Sequence, residues 1–123
     1  MAISVAGGDL QDQTTLNCLL NVIEFEMSPK EAVSCARFST LHHENSFIPN
    51  RQREIFGLGQ LTLQDTIREP IVRNLSGRGH RVGTAGGAIA APVMLLYDRE
   101  NNLLHAAGDP RAGRHAAVLQ PVK

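Results

Sequence analysis

With 123 residues, and 12 Lys plus Arg balanced by 12 Asp plus Glu, the chain is the size of one domain and lacks the charge excess that draws proteins to nucleic acid or anionic membranes. Aromatic residues make up 4% with no Trp, so stacking surfaces for bases or sugars are scarce, while 42% hydrophobic residues, 11 Gly and 6 Pro describe a globular chain, neither disordered nor collagen-like. No apolar run reaches the roughly 20 residues of a membrane span, and Met1 to Val5 lacks the charged stretch and long apolar core of a secretion signal.

Ile3 to Val5 is a short apolar run ending at Ala6-Gly7-Gly8, the pattern of a strand entering a tight turn. Asp9 follows as the expected N-cap of a helix over residues 10 to 26, with Asp12 in its first turn. Leu16, Leu19, Leu20 and Ile23 fall at i, i+3, i+4 and i+7, and Val22 and Phe25 widen the stripe, which predicts a largely buried helix. Ser28-Pro29-Lys30-Glu31 predicts a second, short helix, with Ser as N-cap, Pro at N1 and Glu at N3 completing a capping box.

Arg37 to His43 is expected to form a strand with Phe38 and Leu41 as its apolar members, and residues 44 to 60 a loop. Leu61-Thr62-Leu63 alternates like a short strand. Thr66 to Leu75 predicts a helix, with Pro70 in its first turn and Gly77 and Gly79 ending it. His80-Arg81-Val82 and Ile89 to Tyr97 read as strands, the second interrupted at Pro92. Leu103 to Ala107 then returns across the polar turn 98–102 as a hairpin.

Gly7-Gly8 sits between a strand and a helix start, where backbone N–H groups can converge on an anion or an oxyanion; a plain glycine turn has the same pattern. The glycines from Gly77 to Gly87 do not form a phosphate loop, because their spacing is not GxGxxG and they follow a helix, not a strand. No nucleotide cofactor is therefore expected. Cys18 and Cys35 lie 17 residues apart with no CxxC pair; they read as buried thiols, with a disulfide between them left open. His42 and His43, as neighbours on a strand, would point to opposite faces, and His80, His105 and His115 are scattered, so no metal site is expected.

Thr14 and Thr15 have nucleophilic hydroxyls but fall inside the predicted helix with no base nearby, as structural threonines do. In Gly108-Asp109-Pro110-Arg111, Asp109 and Arg111 could act as a recognition pair, or as an Asp-Pro turn with an Arg salt bridge.

Taken in order, these segments resemble the γ-glutamyltranspeptidase family. Ala6-Gly7-Gly8-Asp9 with the helix through Asn21-Val22-Ile23 is similar to the family's glycine pair and following helix. Met27 to Val33 followed by Ala36-Arg37-Phe38 resembles its M-x-P-x-E-A-V … P-R-F segment, Leu75 to Val82 its L-x-x-x-G-H-x-V, and Ala107 to Arg111 its closing A-x-D-P-R. The likeness spans most of the chain apart from residues 44 to 60. Ala6 and Ala36 stand where the family has Pro, and Gly-Gly-Asp-x-Gln-x-Gln is closer to its acylase and amidohydrolase-like branch.

The resemblance implies an α+β fold, part of the αββα sandwich of N-terminal nucleophile hydrolases with mainly antiparallel strands. It further implies that residues 1–123 are a single domain, the C-terminal part of a small subunit, and that the N–H groups of Gly7 and Gly8 form an oxyanion hole for a small amide or γ-glutamyl substrate. In that family the nucleophilic Thr lies upstream of the glycine pair, so the chain is expected to lack it and to be inert alone. The missing N-terminal portion, a partner subunit or a second copy of the chain is then its expected partner. An alternative is a stand-alone oligomerising or scaffold domain derived from the same fold.

Overall fold

The computed structural model describes residues 1–48 and 57–117. Among them are two three-stranded sheets. The first has the order β1 (Ala2–Ala6), β5 (Ala91–Asp98), β6 (Leu103–Gly108), and both of its pairings are antiparallel. The second has the order β2 (Phe38–Ser39), β3 (Gln60–Gln64), β4 (Arg81–Ala85). Within it β2 is antiparallel to β3, whereas β3 and β4 run parallel because helix α3 (Glu69–Gly77) carries the chain back between them. The strands are thus mainly antiparallel, with one parallel pair.

Helices α1 (Gln11–Ile23) and α2 (Pro29–Ser34) pack on one face of the first sheet. Cys18 of α1, Ala32 and Val33 of α2, Met94 of β5 and Ala107 of β6 form the core there, with Ile3, Val22 and Met27 against it. Alternation along the strands sends their neighbours to the opposite face, where Ala2 stands opposite Leu95, Leu95 opposite Ala106 and Tyr97 opposite Leu104. Leu95, Tyr97 and Leu104 are exposed.

Helix α2 has the expected capping box. The Ser28 hydroxyl accepts from Glu31 N at 3.3 Å, and the Glu31 carboxylate accepts from Ser28 N at 2.9 Å. The first helix differs from expectation at both ends. A short 3-10 turn, Gly8–Leu10, precedes it, and Asp9 lies inside that turn instead of capping, since its carboxylate accepts from Ser46 N at 2.9 Å. The helix is also not largely buried: Thr14 and Cys18 face the core, but Leu16 and Ile23 are 56% and 62% exposed. Its apolar residues occupy two faces, and the first sheet covers only one of them.

The expected strand over residues 37–43 shortens to Phe38–Ser39. Residues 44–48 and 57–59 form no helix or strand, as expected, and 49–56 of the same predicted loop lie outside the described residues. Helix α3 starts later than predicted, at Glu69, which keeps Pro70 in the first turn; Gly79, at φ +94°, closes its end. Strand β5 is not interrupted. Pro92 stands opposite Val5, and its carbonyl accepts from Asp109 N just past the last ladder pair, Val93 with Gly108. The missing N–H therefore falls where the ladder has ended. The hairpin turn is held by Asp98, whose Oδ1 accepts from Glu100 N at 3.0 Å and Asn101 N at 3.2 Å.

Candidate functional site

Gly7 and Gly8 lie where β1 leaves the first sheet. Gly7 has φ 166° and ψ 18°, and Gly8 adopts φ +56°, a left-handed conformation that favours glycine. The turn is closed by Leu10 N donating to the Gly7 carbonyl at 3.1 Å. Neither the Gly7 nor the Gly8 N–H donates a hydrogen bond to any described residue. Space is tight on both sides. A methyl group on Gly7 would fall 2.7 Å from Ala90 Cβ, and one on Gly8 would fall 3.0 Å from the Phe47 ring.

Beside the pair opens a cleft of about 770 Å³. Leu10, Leu41, Phe47 and Ile48 form its apolar wall, and His43, Asn45 and Gln60 contribute polar groups. Pockets that combine an apolar lining with a few converging polar groups are the usual form of small-molecule sites. Asp9 ties the wall to the glycine turn: Ser46 donates to its carboxylate and holds its pKa below the ordinary 3.8, with His43, 4.0 Å away, adding to the effect.

The histidines diverge, though not because of strand alternation, since 42–43 lie in no strand. His42 Nε2 accepts from Gly59 N at 3.0 Å, while His43 Nδ1 faces the Glu44 carbonyl and Asp9. Among the described residues no group of three or more His, Cys, Asp or Glu is placed to hold a metal ion. Thr14 is buried in α1. Both cysteines are free thiols; Cys18 is buried, which raises its pKa, and Cys35 is partly so.

Asp109 and Arg111 do not pair with each other. The Arg111 guanidinium reaches Asp65 at 2.8 Å, and what Asp109 accepts from Arg111 is its backbone N–H, at 2.9 Å. The salt bridge of Asp109 is with Arg37, and both residues are buried. Arg37, expected only as the first residue of a strand, is instead a buried hub of hydrogen bonds. Besides Asp109, it donates through Nε to the Ile89 carbonyl at 3.0 Å and through the other guanidinium nitrogen to Val33 O. Its backbone N–H donates to Gln64 Oε1 at 2.8 Å. Its position ahead of the apolar Phe38 was the available signal, but an arginine before a strand is ordinarily solvated.

Several solved structures share this fold. The γ-glutamyltranspeptidase of Pseudomonas nitroreducens superposes with a TM-score of 0.75 at 16% identity, over 97% of this chain and 55% of that one. The transpeptidase CapD of Bacillus anthracis gives 0.69 at 18% identity, over 96% and 62%. A cephalosporin acylase of Bacillus halodurans gives 0.69 at 23% identity, over 89% and 18%. The chain therefore spans about half of the Pseudomonas chain and under a fifth of the acylase chain. No curated protein sequence matches it. The family model described as gamma-glutamyltranspeptidase matches residues 1–119, and on that match, with the α+β fold in agreement, the chain belongs to the γ-glutamyltranspeptidase family.

Proposed function

We infer that the chain supplies the oxyanion-binding part of an amide-cleaving or γ-glutamyl-transferring enzyme, with the nucleophile contributed by sequence or a subunit outside these 123 residues. The observation that carries this reading is the pair of N–H groups at Gly7 and Gly8, free of described acceptors, on two residues that line an apolar cleft. When a nucleophile's oxygen adds to an amide carbonyl, the C=O π pair moves onto oxygen. Preorganised N–H donors aimed at that oxygen stabilise the charge as it develops. Collapse of the intermediate breaks the C–N bond; the amine leaves with a proton, and the acyl group passes to water or to a second amine. Thr14 is buried in a helix and offers no substitute nucleophile.

Two measurements test this. Titrating the 15N-glycine-labelled chain with butyrate, a carboxylate resembling a hydrolysis product, should move the Gly7 and Gly8 amide signals and leave Gly77, Gly83 and Gly113 in place. Unmoved Gly7 and Gly8 signals would remove the oxyanion reading. The isolated chain should release no nitroaniline from γ-glutamyl-p-nitroanilide above buffer, and turnover that Gly8→Pro abolishes would overturn its inertness.

A second reading, self-association or docking of a partner subunit, is favoured by the exposed Leu95, Tyr97 and Leu104 on the open face of the first sheet. Sedimentation as a monomer at micromolar concentration would count against self-association.

A further inference from the structure

We propose that Arg37 and Asp109 are positioning residues for the glycine pair, acting through Ala90; this rests on the reading of Gly7 and Gly8 as oxyanion donors. The path is short and each link is a contact. Asp109 holds the Arg37 guanidinium, and Arg37 Nε donates to the Ile89 carbonyl at 3.0 Å. The next residue, Ala90, has φ +57°. That conformation is disfavoured for alanine and persists only where its surroundings impose it.

Ala90 in turn bears on Gly7. Its Cα and Cβ lie 3.3 and 2.7 Å from where a Gly7 methyl would stand, so Gly7 is set against it with no room for a side chain. The following pair in the ladder, Ala91 with Ala6, fixes the same two segments from the strand side. A second polar side chain holds the far end of the Ala90 segment. Gln64 is buried, accepts from Arg37 N, and donates through Nε2 to the Gly87 carbonyl at 3.4 Å. Residues 87 to 90 are thus fastened at two carbonyls by two buried side chains, and the Gln64 side chain is itself held by the Arg37 backbone N–H. Rotation of the Ala90 backbone would swing the Gly7–Gly8 peptide, and with it the Gly8 N–H.

The test separates positioning from stability. Three variants of the 15N-glycine-labelled chain are compared with the wild type, first without and then with butyrate. Arg37→Lys keeps the charge opposite Asp109 but loses the planar contact to Ile89 O. Ala90→Gly removes both the methyl and the backbone constraint and leaves the ion pair intact. Met94→Ala disturbs the core without touching the path. Arg37→Lys and Ala90→Gly should shift the Gly7 and Gly8 amide signals before any butyrate is added, and weaken butyrate binding about tenfold, the loss expected of one misdirected hydrogen bond to a charged group. Met94→Ala should do neither, even where it unfolds at lower temperature.

Gly7 and Gly8 signals that stay in place in Ala90→Gly, with wild-type butyrate affinity, would overturn the proposal and leave the ion pair as structural glue. Wild-type signals that ignore butyrate would instead remove the oxyanion reading, and the functional meaning of the positioning with it. Should Arg37→Lys fail to fold, Ala90→Gly carries the decision.

Discussion

Gly7 and Ala90 contend for the space of one methyl group, and Ala90 holds it. The geometry explains why position 7 is glycine: a side chain there would run into a neighbour's Cβ. Gly7→Ala is expected to destabilise the chain by about 1–3 kcal/mol, the range for overpacking a tight site. Gly83, in β4, has nothing within 4 Å of its would-be Cβ and no left-handed φ. Gly83→Ala should therefore be neutral or mildly stabilising, since alanine loses less backbone entropy. Urea denaturation of the two variants distinguishes them, and equal midpoints would mean that the contact with Ala90 carries no strain.

Among the elements, α2 is stabilised most locally. Ser28→Ala removes the side-chain acceptor of its N-cap and is expected to cost about 1 kcal/mol. The same box makes a pH signature. The Ser28 hydroxyl, then the Ser28 backbone N–H, hold the Glu31 carboxyl below its ordinary 4.5. A carboxylate whose pKa is depressed by folding stabilises the native state above its unfolded pKa, and that contribution fades as pH falls through the lower folded value. Acid titration of the wild type should thus show stability lost below about pH 4.5 that is smaller in Ser28→Ala. Parallel acid profiles for the two proteins would contradict this account.

Elements of that kind were legible in the sequence because their determinants lie within a few residues. The capping box, the Asp98 turn with its hairpin and the placement of Pro70 all follow from neighbours along the chain. The glycine pair was legible as a candidate for the same reason. What was hidden depends on distant partners. The two apolar faces of α1 give no sign of which one the sheet covers, so the exposure of Leu16 and Ile23 could not be read from periodicity. Asp9 looked like an N-cap until Ser46, 37 residues on, took its carboxylate. Asp109 had an arginine two positions away and bonded instead to one 72 positions away.

At the scale of the whole molecule, the residues around Arg37 join the two sheets. Arg37 N binds Gln64 at the end of β3, its guanidinium meets Asp109 just after β6, and Arg111 crosses back to Asp65. Asp109→Leu leaves a buried guanidinium without its counter-charge, and breaking a buried pair in this way costs about 3–5 kcal/mol. The double variant Arg37→Met with Asp109→Leu should recover part of that loss, because neither charge then remains buried alone. If the double variant is as unstable as the sum of the singles, the two residues do not act as a pair.

That separation in sequence also bears on time. The hairpin of β5 and β6 and the capped α2 draw on near neighbours and can form early, whereas Arg37 and Asp109 meet only when both sheets are in place. A contact made after the rate-limiting step slows unfolding without hastening folding. In stopped-flow experiments Asp109→Leu should accordingly raise the unfolding limb and leave the folding limb nearly unchanged. The ion pair then governs the lifetime of the native chain, and so how long the glycine turn is kept shaped between one unfolding event and the next.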